Sequence, residues 1–176
     1  MKKIITNIKW EIICFKTRIK NLIRWFPIIW KDRDYGDYYI LEILKFKLSN
    51  QAEYISKSYE HTKAQYDASR IRLCIRLIEK IQSEYYQLEY MNYFKDRFEF
   101  RDSPDHPDCK VMHITDISNN FEEYVVKHYS TYKRVIKKNH CKNSKSTALK
   151  MSYEVHQKAK RILFELLNIH LESWWD

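Results

Sequence analysis

Glycine is almost missing from this 176-residue chain: Gly36 is the only one, where average usage of ~7% would give about twelve. That deficit excludes chemistry. Phosphate-cradling loops and dinucleotide-binding turns need several glycines so that backbone amides can approach the ligand. A Gly-x-Ser-x-Gly nucleophile elbow is absent as well. Most nucleotide-hydrolysing and nicotinamide-dependent classes are thereby set aside, and no cofactor is expected. Proline is also scarce, at Pro27, Pro104 and Pro107. No apolar run approaches the ~20 residues that cross a bilayer, and lysines and Glu11 interrupt the early apolar positions, against a cleavable signal peptide. The four cysteines, Cys14, Cys74, Cys109 and Cys141, form no Cys-x-x-Cys pair. Free thiols in a reducing cytoplasm follow, with Cys14 and Cys74 as core fillers.

What is present favours helices. Apolar residues make up 44% and charged ones 31%, a globular composition, and breakers are few. The expectation is a mainly α fold over residues 1–176, one domain built as a helical bundle of about five helices with a small β-hairpin insertion.

Charge is unevenly placed. The net +9 divides into +7 over residues 1–31, −5 over residues 32–126, +10 over residues 127–161 and −3 thereafter. Two basic segments thus flank an acidic middle. They attract a polyanion, or they pair with the acidic middle of this chain or of a second copy.

The first basic segment reads as an amphipathic helix from Lys3 to Phe26. Ile4, Ile8, Ile12, Phe15, Ile19, Leu22 and Phe26 recur at steps of three and four, and Pro27 is expected to end the helix. A core or partner-docking role is favoured over a membrane surface, although a basic helix with flanking tryptophans suits both. Asp34 or Asp37 is expected to cap a second helix over Tyr38–Lys57. The cluster Asp32, Asp34 and Asp37 is better explained by capping and pairing with Lys31 and Arg33 than as a Mg²⁺ site for a nuclease. A third helix buries Ile71, Cys74, Ile75, Ile78, Ile81 and Tyr85 and is expected to run on through Tyr93. Alternation over Arg97–Arg101 and Lys110–Thr115, around a turn-rich link, predicts a hairpin within residues 97–117. Ser118 reads as the cap of a helix over Asn120–Lys138. After a polar loop, a last helix runs over Ala148–Trp174, with Val155, Ala159, Ile162, Leu163, Leu166 and Leu167 on its apolar side.

Two constellations carry possible chemistry. His106, Cys109 and His113, with His140 and Cys141 farther on, are zinc-type ligands, but their spacing matches no paired motif and no metal is expected. The second basic segment is the stronger candidate. Lys127, Lys133, Arg134, Lys137, Lys138, Lys158 and Arg161 neutralise phosphates, while Tyr129 and Tyr132, with Tyr124 and Tyr153 nearby, stack on bases. At the far end, Trp174 and Trp175 either close the core against the first helix or contact a partner.

The run from Ile23 to Leu48, IRWFPIIWKDRDYGDYYILEILKFKL, together with Trp174-Trp175-Asp176, resembles a group of uncharacterised proteins of tailed bacteriophages of gut bacteria. The resemblance implies a phage-encoded protein acting in a bacterial cytoplasm or packaged in a virion, and it carries no site residues. The expected function is a non-enzymatic accessory that binds nucleic acid or a nucleotide, including sequestration of a host defence signal. The alternative is an oligomeric or virion-associated interaction protein, docking to a phage or host protein through its N-terminal helix and Trp-rich terminus.

Overall fold

A computed structural model describes the backbone of residues 2–31, 36–58, 62–104, 106, 108–138 and 143–174, and the side chains of those from residue 10 onward except Asp37. The fold is mainly α with one small antiparallel hairpin, as expected. In chain order the elements are α1 (Lys2–Ile29), α2 (Asp37–Lys57), α3 (Ala64–Gln82), α4 (Tyr85–Leu88) and a 3-10 turn (Glu89–Tyr93). The hairpin strands β1 (Phe94–Asp102) and β2 (Lys110–Asn119) follow, then α5 (Phe121–Lys127), α6 (Tyr129–Lys138) and α7 (Ser144–His170).

Two cores share α7. In the first, Leu48, Ala52 and Ile55 of α2 meet Ile71, Cys74, Ile78 and Ile81 of α3 and Ala159, Leu163 and Leu167 of α7. Trp174 is 1% exposed and completes that core. The closing partners are therefore α2, α3 and α7, not the first helix. In the second core, Ala148 and Met151 of α7 pack with Phe94, Tyr124 and Val135. Cys74 is the buried filler its position predicts, and the thiol is pushed above its ordinary range by burial.

Several boundaries differ from the sequence expectations, each for a local reason. Pro27 lies inside α1, which continues to Ile29. A proline this near a C-terminus removes only one ladder bond, and the amide of Trp30 still donates to the carbonyl of Phe26 at 2.8 Å. Gly36 holds the N-cap of α2 with no side-chain cap; Asp32 and Asp34 lie outside the described residues. The third helix does not run on to Tyr93. It stops at Gln82, and Glu84 takes a left-handed conformation at φ 53°. With glycine so rare, a non-glycine residue bears the steric cost of that reversal. Tyr85 therefore leaves the α3 face and is exposed. The hairpin is longer than its alternating segments, since Phe94 pairs with Asn119, and a bulge leaves Ile117 without a cross-strand partner. Ser118 belongs to β2, and Asn120 takes the N-cap position of α5. The helix expected over Asn120–Lys138 breaks at His128, which separates α5 from α6. The last helix begins earlier and ends earlier than expected. Asn143 caps α7 by accepting from the Ser146 amide at 2.8 Å, and a turn from Leu171 returns Trp174 to the core.

The largest departure concerns α1. Its stripe was expected to be a core or partner-docking face, and the core half of that expectation fails: among its described side chains Ile12, Phe15, Ile19, Leu22 and Phe26 are all exposed, Phe15 at 60% and Leu22 at 61%. Cys14, expected in the core, is half-buried on this helix.

Two stability predictions follow from this division. Trp174→Ala, which empties a fully enclosed indole site, is expected to cost ~3–5 kcal/mol in urea unfolding, whereas Phe15→Ala costs under ~0.5 kcal/mol. Buried His156 supplies the second. Burial, and then the charge of Lys160, hold its pKa below 6.5, with Glu84 partly opposing. The unfolded chain therefore takes up this proton first, so stability is full above pH 6.5 and declines as the pH falls through that value. His156→Gln is expected to flatten the slope of stability against pH below 6.5, measured by unfolding at each pH.

Candidate phosphate-binding surface

Helices α6 and α7 pack side by side and carry most of the second basic segment. On α6, Thr131 and Val135 are buried. Helical periodicity then turns Tyr129, Lys133 and Lys137, at steps of four, outward together. All three are exposed. On α7, the same periodicity aligns Lys150, Glu154, Gln157 and Arg161 along one face, with Lys158 at its margin. Val135 and four α7 residues, Lys150, Tyr153, Glu154 and Gln157, line a shallow depression of about 240 Å³ between the two helices. Tyr129 and Tyr153 are each about half exposed, at 55% and 52%.

The cations of this segment divide into two sets. Lys127 is tied to the fold by an ion pair, although its side chain is 50% exposed. Its ammonium meets Oε1 of Glu89 at 2.5 Å, and the imidazole of His128 meets Oε2 of the same carboxylate at 3.0 Å. Glu89 is buried, so the pair anchors α5 to the 3-10 turn, and the hydrogen bond to Glu89 raises the Lys127 pKa. The break at His128 is what points that imidazole at Glu89. Lys145 is also held inside the fold. It donates to Asp96 at 2.7 Å and to Asp116, which face each other across the hairpin. Two carboxylates directly opposite destabilise a strand pair, and the ammonium between them removes that conflict. Asp116 is accordingly held below its ordinary pKa, first by the hydrogen bond from Lys145. The basic segment therefore does pair, in part, with the acidic middle of its own chain.

The second set faces outward. Arg134 and Lys138 approach Glu154 only loosely, both at 3.7 Å, and such half-exposed pairs hold their partners weakly. Lys133 lies over the Tyr129 ring at 4.5 Å. Lys137, Lys150, Lys158 and Arg161 have no ion-pair partner among the described residues. Of the tyrosines read as stacking residues, Tyr124 is fully buried and Tyr132 is half-buried against Phe121, with ring centroids 6.1 Å apart. Burial raises the Tyr124 pKa. The surface that remains is Tyr129, Lys133, Arg134, Lys137 and Lys138 on α6 with Lys150, Tyr153, Lys158 and Arg161 on α7.

The zinc-type residues are not brought together. Among the described residues no group of three or more His, Cys, Asp or Glu side chains is placed to hold a metal. His106 and Cys109 sit in the hairpin link, where the Cys109 amide donates to the His106 carbonyl at 2.9 Å, while His113 stands in β2 opposite Glu99. His140 and Cys141 lie outside the described residues. A larger groove of about 750 Å³ opens between the hairpin base and the start of α7, lined by Met91, Phe94, Phe98, Ile117 and Leu149 among others. Of its two lysines, Lys95 and Lys145, the second is already held by Asp96 and Asp116, so that ammonium is not open to a phosphate.

No known protein family, curated protein or solved structure matches this chain.

The division of the cations is testable. Lys127→Met leaves a buried carboxylate with one partner fewer and is expected to cost ~1–3 kcal/mol in urea unfolding. The same substitution is expected to leave the affinity for a polyanion within about twofold, because Glu89 already holds the Lys127 ammonium.

Proposed function

We propose that the protein is a phage accessory that binds a phosphate-bearing partner on the α6–α7 surface, and that a single strand of nucleic acid suits this surface better than a nucleotide. The observation that carries the reading is the cluster of outward cations around two exposed tyrosines, Tyr129 and Tyr153, on adjacent helices. Cations neutralise the backbone, and tyrosine faces stack on bases without demanding a sequence. The depression between the helices, about 240 Å³, is smaller than the ~300–1,000 Å³ of pockets that enclose small ligands. An open strand is therefore the better fit. Setting the protein in a phage-infected bacterium rests on the resemblance of the Ile23–Leu48 run and the Trp-rich terminus. The second reading, an interaction protein docking through its N-terminal helix, is favoured by the exposed stripe of α1. Its other half, docking through the Trp-rich terminus, loses support with Trp174 buried.

Electrophoretic shift and calorimetry with single-stranded DNA, RNA and cyclic nucleotides test the proposal. Binding to the strands is expected, weakening with salt at a slope of log K against log[salt] of about −3, near −0.7 for each neutralised phosphate. Lys133→Glu with Lys137→Glu and Arg161→Glu is expected to abolish it, whereas Glu154→Gln, which removes the competing carboxylate, tightens it a few-fold. No binding to any strand or nucleotide in the unaltered protein would refute the reading.

A further inference from the structure

The orientation of α1 is unusual for an amphipathic helix beside a folded body. An apolar stripe ordinarily packs inward. Here the helix meets the body through its other side. The Trp25 ring lies 4.8 Å from Phe46 of α2, and Cys14, Trp25 and Ile28 are half-buried. At one hundred degrees per residue Ile28 falls opposite the stripe, and Trp25 and Cys14 flank it. Phe15, Ile19, Leu22, Ile23 and Phe26 consequently face solvent, with exposures from 41% to 67%. A continuous apolar surface of this kind marks a contact site.

The charges beside the stripe select its occupant. Lys16 and Lys20 lie along one edge and Arg18 along the other, and residues 1–31 carry eight cations against one carboxylate. A second copy pairing stripe to stripe would bring +7 against +7. An anionic lipid surface instead supplies an apolar layer beneath a sheet of negative headgroups, matching both the stripe and its edges. Trp30, just past the end of α1, is 75% exposed, and indoles favour the headgroup level because one end is apolar and the other is polar. No described helix is long and apolar enough to cross a membrane, so the fit is to a helix lying in the interface. We propose that α1 seats the protein on anionic membrane surfaces, with the Phe15–Ile19–Leu22 stripe in the acyl boundary and Lys16 and Lys20 among the headgroups. This rests on the exposed stripe and not on the α6–α7 surface.

Sedimentation of the full chain with vesicles tests the proposal, using phosphatidylcholine alone and phosphatidylcholine containing phosphatidylglycerol. Binding is expected to the phosphatidylglycerol vesicles, with a blue shift of tryptophan emission. Phe15→Glu and Ile19→Glu are each expected to lower the partition coefficient at least about tenfold, and Lys16→Gln and Lys20→Gln about fivefold each. These side chains are exposed, so circular dichroism and the urea midpoint are expected to stay unchanged. Lys133→Glu with Lys137→Glu is expected to retain most vesicle binding while losing the strand, which separates failure here from failure of the phosphate-binding surface. The proposal is overturned if neither vesicle is bound, or if Phe15→Glu with Ile19→Glu binds as the unaltered chain does. It is overturned equally if light scattering finds a dimer that the Phe15 and Ile19 substitutions dissolve while vesicles remain unbound.

Discussion

The continuous buried stripe of α7 is the constraint on which the rest of the structure depends. Ala148, Met151, Val155, Ala159, Leu163 and Leu167 face inward along the whole helix, which spans roughly 40 Å at 1.5 Å per residue. Its first half completes the core beneath the hairpin, α5 and α6, and its second half completes the core with α2 and α3. Small residues set the spacing. Ala148, Ser152 and Ala159 let neighbouring elements approach closely, and the hydroxyl of Ser152 is satisfied by the Leu149 carbonyl at 2.8 Å. At the far end the Arg70 guanidinium of α3 contacts the His170 ring, and the following turn brings Trp174 into the core. Neither core survives without α7, so a break in this helix would uncouple the basic surface from the α2–α3 body.

The same helix explains how one segment carries both structural and outward charge. A helix with a buried stripe has a polar remainder, and what that remainder does depends on what packs beside it. Near its start the hairpin base lies close, and Lys145 is drawn to Asp96 and Asp116. Farther along, the side of α7 that carries Lys150 and Glu154 lies beside the short helix α6, which brings cations of its own with no acidic residue. Glu154 is the one carboxylate in residues 127–161. It faces Arg134 and Lys138 at distances that bind neither firmly. Repulsion among the remaining cations is tolerable only because they are exposed and screened. An arrangement that leaves repulsion uncompensated at a surface is one that a polyanion relieves.

The class of fold, the hairpin and the principal helices were legible in the sequence because each rests on periodicity, which is local. The break at Ser83–Glu84 and the division at His128 were not. Both occur inside segments of good helix formers, and neither carries glycine or proline as a signal. They arise from tertiary contacts: the His128 ring reaches Glu89, far away along the chain. Lys127 and Tyr124 were misread for a related reason. Composition counts them among cations and aromatics, but only the folded chain shows that Tyr124 is buried and that Glu89 already holds the Lys127 ammonium. Tyr132 falls between the two. Arg134, Lys137, Lys138, Lys158 and Arg161 kept their outward position because they sit off the buried stripes that periodicity does reveal.

The first helix shows the limit of periodicity most clearly. A hydrophobic stripe defines a direction on a helix, but not what lies in that direction. The same pattern serves a core, a protein partner or a lipid interface. What separates them is the opposite face, which a core helix leaves to water. In α1 Trp25, beside the stripe, touches Phe46 of α2, and Ile28, opposite the stripe, is half-buried; both are too apolar for a solvent face. The helix therefore has two apolar surfaces of unequal width. The narrow one attaches it to the body, and the wide one, bordered by Lys16 and Arg18 with Glu11 as its one acidic residue, is left for a partner. An edge of lysines around an apolar stripe opposes self-association and favours a negatively charged, apolar-backed surface, and that asymmetry was already present in the spacing of Trp25 and Ile28 relative to Phe15, Ile19 and Leu22.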